Sequence, residues 1–135
     1  MTDYGKRFDL FVDIVRQLRS APGCPWDREQ SPATLKRYLL EETRELLEAI
    51  DANDQLHTKE ESGDLLYLII LLAQIHKEDE HYDIGDVLDT ITAKMIRRHP
   101  HVFADEKIET VAELRQKWLE IKKSEKSVGN KPEKN

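Results

Sequence analysis

Apolar residues along this chain recur mostly at three- and four-residue intervals. Phe8, Phe11, Val12, Val15 and Leu18 form one such series, which predicts an amphipathic helix ending before Pro22 and Gly23. Three prolines and one glycine between Ala21 and Pro32 predict a loop, with Ser31 as N-cap and Pro32 opening the next helix. In that second helix, reaching about Ala52, residues Leu35, Tyr38, Leu39, Leu46, Ala49 and Ile50 fall in one apolar arc. Asn53-Asp54 marks a break, and Thr58 with Glu61 matches a capping box for a third helix running to roughly Lys77. Its stretch from Leu65 to Ala73 is apolar on every side, so it needs cover from other helices or a second subunit. A buried strand is the alternative for this stretch, opposed by helical patterning on both flanks and by the lack of a visible partner strand.

Ile84, Val87, Leu88, Ile91 and Met95 predict a fourth helix, stopped near His99 by Pro100, and Val111, Leu114, Trp118 and Ile121 predict a fifth. From Ser124 onward almost nothing is apolar, which predicts a disordered tail. The expectation is an all-α bundle of about five helices: one domain over residues 1–123, followed by a tail over 124–135. A length of 135 residues suits one domain, and five Gly and five Pro suit helices better than strands.

Charge and cysteine content narrow the function. A formal net charge of −6 argues against general nucleic-acid binding, which relies on clustered Lys and Arg. An anionic small molecule stays open, because a bound divalent cation inverts the sign of an acidic site. The apolar run from Leu65 to Ala73 is far shorter than the roughly 20 residues of a membrane span, and no signal-like N-terminus is seen. Cys24 is the only cysteine, so no intrachain disulfide forms and a cytoplasmic location is expected.

The chemistry is carried by carboxylates. Glu42 projects near the middle of the apolar arc of the second helix, where an unpaired charge pays several kcal/mol in desolvation. Glu45 borders the same face, whereas Glu41 and Glu48 lie further round and read as solvated. The third helix repeats the device, with Glu61 and Asp64 sharing a face with Leu65, Leu68 and Leu72. If the two helices pack antiparallel, four carboxylates converge, and their repulsion calls for a cation. All-oxygen ligation selects magnesium, with manganese as a substitute. A di-iron bundle needs Glu-x-x-His on two helices, and Glu78 with His81 supplies one match.

The run Gly23-Cys24-Pro25-Trp26-Asp27, then Glu41-Glu42-x-x-Glu45, Glu61-x-x-Asp64 and Arg97-Arg98-His99-Pro100-His101-Val102-Phe103 resembles the MazG family in order and spacing. The resemblance covers about Phe8 to Lys123 and implies an all-α nucleoside triphosphate pyrophosphohydrolase that uses magnesium, releases monophosphate and pyrophosphate, and forms a homodimer or larger homo-oligomer. By motif position it implies that Glu42, Glu45, Glu61 and Asp64 ligate metal, that Glu41 helps activate or orient water, and that Lys94, Arg98, Trp118 and Lys122 meet the nucleotide. Spacing agrees in part, since Lys94 and Arg98 share a helix face, as do Trp118 and Lys122. Trp118 also lies on the apolar stripe with Val111, Leu114 and Ile121, so core packing and base contact both remain open. Trp26, Cys24, His99 and His101 read as loop-ordering residues.

Ser31-Pro32 stands where relatives often have Thr-His, and Ser62 stands where leucine is usual; neither is a proposed ligand. Many relatives carry two such domains, and one is seen here. House-cleaning of the nucleotide pool is the expected role. A catalytically weak nucleotide-sensing or protein-binding helical module is the rival, and pyrophosphate release separates the two.

Overall fold

A computed structural model describes residues 2–128. Those residues form α1 (Tyr4–Arg19), α2 (Pro25–Glu29), α3 (Pro32–Asp51), α4 (Gln55–Glu78), α5 (Ile84–Arg98), α6 (Pro100–Phe103) and α7 (Val111–Val128), and no strand. The all-α class therefore matches the sequence pattern. α4 runs unbroken through 65–73, which removes the strand alternative.

Two short helices raise the expected five to seven. α2 lies inside the stretch predicted to be a loop, with Pro25 in its first turn. α6 starts at Pro100, because the proline that ends α5 has a fixed φ well suited to a new first turn. α4 also begins earlier than the Thr58 capping box predicted. Asp54 is its N-cap, accepting from the His57 backbone N–H at 3.1 Å, and Thr58 Oγ1 donates to the Asp54 carbonyl at 2.8 Å. Asn53, in the left-handed region at φ 54°, makes this tight reversal possible. At the other end α7 continues past Ser124 to Val128, so the expected tail does not start there. The remainder of that expected tail, residues 129–135, lies outside the described residues.

The chain divides into two compact units, Met1–Val87 and Leu88–Asn135. In the first, α3 and α4 pack as a hairpin with α1 against α4. Val15, Leu35, Leu68, Ile70, Leu71 and Ile75 form its core, flanked by Phe8, Phe11, Val12, Tyr38, Leu39 and Leu72. Arg19 ties α1 to the segment around α2 and to α4. Its Nη1 donates to the carbonyls of Asp27 at 2.8 Å, Arg28 at 3.1 Å and Gln30 at 2.9 Å, and its Nη2 pairs with Glu78 Oε1 at 2.6 Å. Asp27, buried, accepts a hydrogen bond from the Tyr67 hydroxyl. Gly23 admits no side chain, since a Cβ would collide with the Leu18 and Ser20 carbonyl oxygens.

The apolar girdle of α4 is only partly covered. Leu66 is 43% and Ile69 40% exposed, and Ile50, expected inside the α3 arc, is 54% exposed. In the second unit, the Trp118 indole N–H donates to the Arg98 carbonyl at 2.7 Å, holding α7 against the end of α5.

Leu71 is fully buried at the centre of the first unit. Leu71→Ala should lower stability by about 2–5 kcal/mol, as a cavity with partial relaxation does. Urea unfolding measures the loss, and a change below about 1 kcal/mol would place the core elsewhere.

Candidate metal centre

The start of α3 sets the register of the site. Ser31 Oγ accepts from the Thr34 N–H at 3.2 Å, and the Ser31 N–H donates to Thr34 Oγ1 at 2.9 Å, a reciprocal cap with threonine in the place more often held by glutamate. From that start Leu35 turns inward, buried, with Tyr38 and Leu39 packed beside it. Glu42 follows one turn later on the same face and is half-buried.

Across the hairpin, α4 brings Glu61 to the same place. One carboxylate oxygen from each of Glu42, Glu45 and Glu61 lies within 4.8 Å of the other two. Glu42 Oε2 and Glu61 Oε2 are both buried with no hydrogen-bond partner. Asp64 stands outside the triplet, and its charge still acts on Glu42 and Glu61. Burial first, then the carboxyl groups of Glu45 and Glu61 and the charge of Asp64, push Glu42 up to about 7. Burial also raises Glu61 above the ordinary carboxylate range, with Glu45 and Asp64 adding to the effect. Glu41 is exposed on α3, outside the triplet.

Orphaned, buried carboxylate oxygens facing other carboxylates are a costly arrangement. A divalent cation satisfies it, giving each oxygen an electrostatic partner and cancelling the repulsion. The donor set is entirely oxygen, which suits a hard ion.

The remaining sequence-predicted residues belong to the second unit. Lys94, Arg98 and Trp118 are half-buried and Lys122 is exposed. Trp118 is anchored through its indole N–H to the Arg98 carbonyl and meets the His99 ring edge-on at 5.9 Å between centres. Arg98 Nη2 donates to Glu125 Oε1 at 3.0 Å, and Arg98 Nε is buried without an acceptor. His99 bonds the Met95 carbonyl through Nδ1 at 2.6 Å, whereas His101 Nδ1 is buried and unpartnered. Trp26 packs edge-on to Tyr38 at 5.1 Å, and the Cys24 backbone N–H donates to the Leu18 carbonyl at 2.8 Å, both within the loop framework.

The MazG nucleotide pyrophosphohydrolase domain matches this chain over residues 30–103, a span that contains all four predicted ligands. The chain belongs to the MazG family. It is 47% identical over 89% of its length to the uncharacterized protein YabN of Bacillus subtilis, covering 24% of that protein. It is 44% identical over 93% of its length to the nucleoside triphosphate pyrophosphohydrolase/pyrophosphatase MazG of Thermotoga maritima, covering 48% of it. The chain thus spans half or less of these curated relatives. A crystal structure of a MazG-related protein from Thermotoga maritima superposes with a TM-score of 0.71 at 34% identity, covering 85% of this chain and 98% of that one.

Two residues of this MazG chain escaped the sequence reading. Arg19 carries no periodic signal, because its role is to bond backbone carbonyls far along the chain. Glu125 sits in the polar stretch whose composition predicts a tail, although it falls three residues after Lys122 and seven after Trp118, on their side of the helix.

The pH response of the metal-free protein follows from Glu42. Its carboxyl holds a proton in the folded state up to about 7, while the unfolded chain releases it near the ordinary 4.5. This contribution to stability is full below about 4.5 and is lost as pH rises through about 7. Melting temperatures of metal-stripped protein should therefore fall across that window. Glu42→Gln should flatten the profile and leave the metal-free protein at least as stable at pH 8; a steep fall retained in the variant would assign the effect to another group.

Proposed function

We propose that this chain hydrolyses nucleoside triphosphates to nucleoside monophosphate and pyrophosphate, with residues 1–123 as one MazG-like domain serving to clear the nucleotide pool. The convergence of Glu42, Glu45 and Glu61, with two buried oxygens left without partners, carries this reading. The name of the Thermotoga maritima relative supports the reaction class.

Glu42, Glu45 and Glu61, with Asp64 beside them, would hold magnesium, and manganese would substitute. When bound, the ion neutralises phosphate oxygens and lowers the pKa of a water able to attack the α-phosphorus in line. Glu41 adjoins Glu42 and points to solvent, which suits it to orient that water or take its proton. Lys94 and Arg98 would bind phosphate oxygens, Arg98 through its paired N–H groups. Lys122 would add charge, and Trp118 would act mainly by fixing the Arg98 backbone through its indole.

A homodimer or higher homo-oligomer belongs to the same reading. Leu66 and Ile69 on α4, with Leu40 and Leu47 on α3, leave apolar surface exposed that a second copy would cover. No helix among the described residues is long and apolar enough to cross a membrane. A cytoplasmic location and independence of nucleic acid complete the reading, the latter resting on the net charge of −6.

Incubation with a mixed nucleotide pool and magnesium should release pyrophosphate as the first phosphorus product. Inorganic phosphate released first would refute the reaction. Glu61→Gln should lower turnover by roughly a hundredfold or more while the helical circular dichroism signal is retained. Light scattering should give at least twice the 15.8 kDa of one chain, and a monomer would remove the oligomer from the reading.

A further inference from the structure

The second unit already holds an anion against its arginines. Glu125 Oε1 accepts from Arg98 Nη2 at 3.0 Å, and Glu125 Oε2 accepts from Arg97 Nε. The side chains of Arg98 and Glu125 are only 19% and 25% exposed, so solvent screens the pair less than a surface ion pair. Arg98 first, then Arg97, holds the Glu125 carboxyl below the ordinary carboxylate range, as an engaged anion requires.

This engagement is incomplete. One carboxylate serves two guanidinium groups, which leaves the cluster with net positive charge. Glu125 is also split between them: it takes Nη2 of Arg98 and leaves Nε of the same residue buried with no acceptor. The strongest arginine contacts are bidentate, with two parallel N–H groups meeting two oxygens of one acceptor. A terminal phosphate offers several oxygens on one centre and can take both N–H groups of Arg98. Glu125 cannot do so while it remains bonded to Arg97. Lys122, proposed above to add charge at the nucleotide, stands on the same side of α7 as Glu125.

We propose that Glu125 is an internal counter-anion, which occupies Arg97 and Arg98 until the polyphosphate of the nucleotide displaces it, and which thereby sets triphosphate affinity. The inference rests on the reading of Arg98 as a phosphate contact. Glu125 keeps the guanidinium groups aligned and partly neutralised in the empty protein. Displacement exchanges a split contact for a bidentate one and satisfies the orphaned Arg98 Nε. Weakly charged anions compete poorly with a tethered carboxylate, so the device favours triphosphate over smaller phosphates.

The sign of one substitution separates this from a structural role. If Glu125 competes with phosphate, Glu125→Gln should bind a non-hydrolysable nucleoside triphosphate, and inorganic tripolyphosphate as a base-free probe, roughly three- to tenfold more tightly. If Glu125 merely positions Arg98, the same change should weaken binding. Calorimetry with magnesium on wild type, Glu125→Gln, Arg98→Ala and the double variant decides between them, with the gain expected to vanish in the Arg98→Ala background. Wild-type protein gives a second readout, independent of any variant's folding: tripolyphosphate should shift the carboxylate carbon resonance of Glu125 as its arginine contacts break. Equal or weaker binding by Glu125→Gln, or a Glu125 resonance unmoved while wild type binds, overturns the inference alone. No triphosphate binding by wild type at all overturns the proposed function and this inference with it.

Discussion

Three carboxylates that lie within 4.8 Å of one another at the edge of an apolar core are the constraint to which the rest of this structure answers. Burial and repulsion both oppose ionisation of Glu42 and Glu61, and hydrogen bonding does not relieve either, since one oxygen of each meets no donor. The metal-free protein meets the constraint by keeping a proton on Glu42 near neutral pH. A divalent cation would meet it better, because one ion would serve oxygens of all three residues together. In the proposed function, the unfavourable term that weakens the empty protein would become affinity for metal.

Such a cluster forms only if two helices hold their register against the repulsion. α3 and α4 do so through features remote from the acids: the Ser31–Thr34 reciprocal cap at one end, the Asn53–Asp54 reversal between the helices, and the core of Leu35, Leu68 and Leu71 below them. Arg19 extends this control to the segment preceding α3. By bonding the carbonyls of Asp27, Arg28 and Gln30 and pairing with Glu78, it joins the end of α1 and the end of α4 to α2 and the residue that precedes Ser31. The carbonyls of Arg28 and Gln30 are thereby given a charged donor.

The two units present opposite electrostatic deficits. The first gathers carboxylates without enough cations, and the second gathers Arg97 and Arg98 with one carboxylate between them. Glu125 is the provisional partner on the basic side, much as a proton is on the acidic side.

By itself the sequence determined the all-α class, the course of the long helices and the acidic pairs, because helical periodicity and i, i+3 spacing are local properties of the chain. Glu42 stood out from spacing alone, as a charge inside an apolar arc. The short helices were less legible: α2 and α6 each begin at a proline that reads equally well as a terminator. Tertiary structure alone decided that Glu45 joins Glu42 and Glu61 while Asp64 acts from outside, because a distance across a hairpin depends on how two faces pack. It also decided that Arg19 clamps a loop, that Trp118 bonds the Arg98 backbone and that Glu125 belongs to a helix rather than a tail. Those roles are set by partners 8 to 59 residues away along the chain, and no local pattern encodes a contact whose energy comes only from the completed fold.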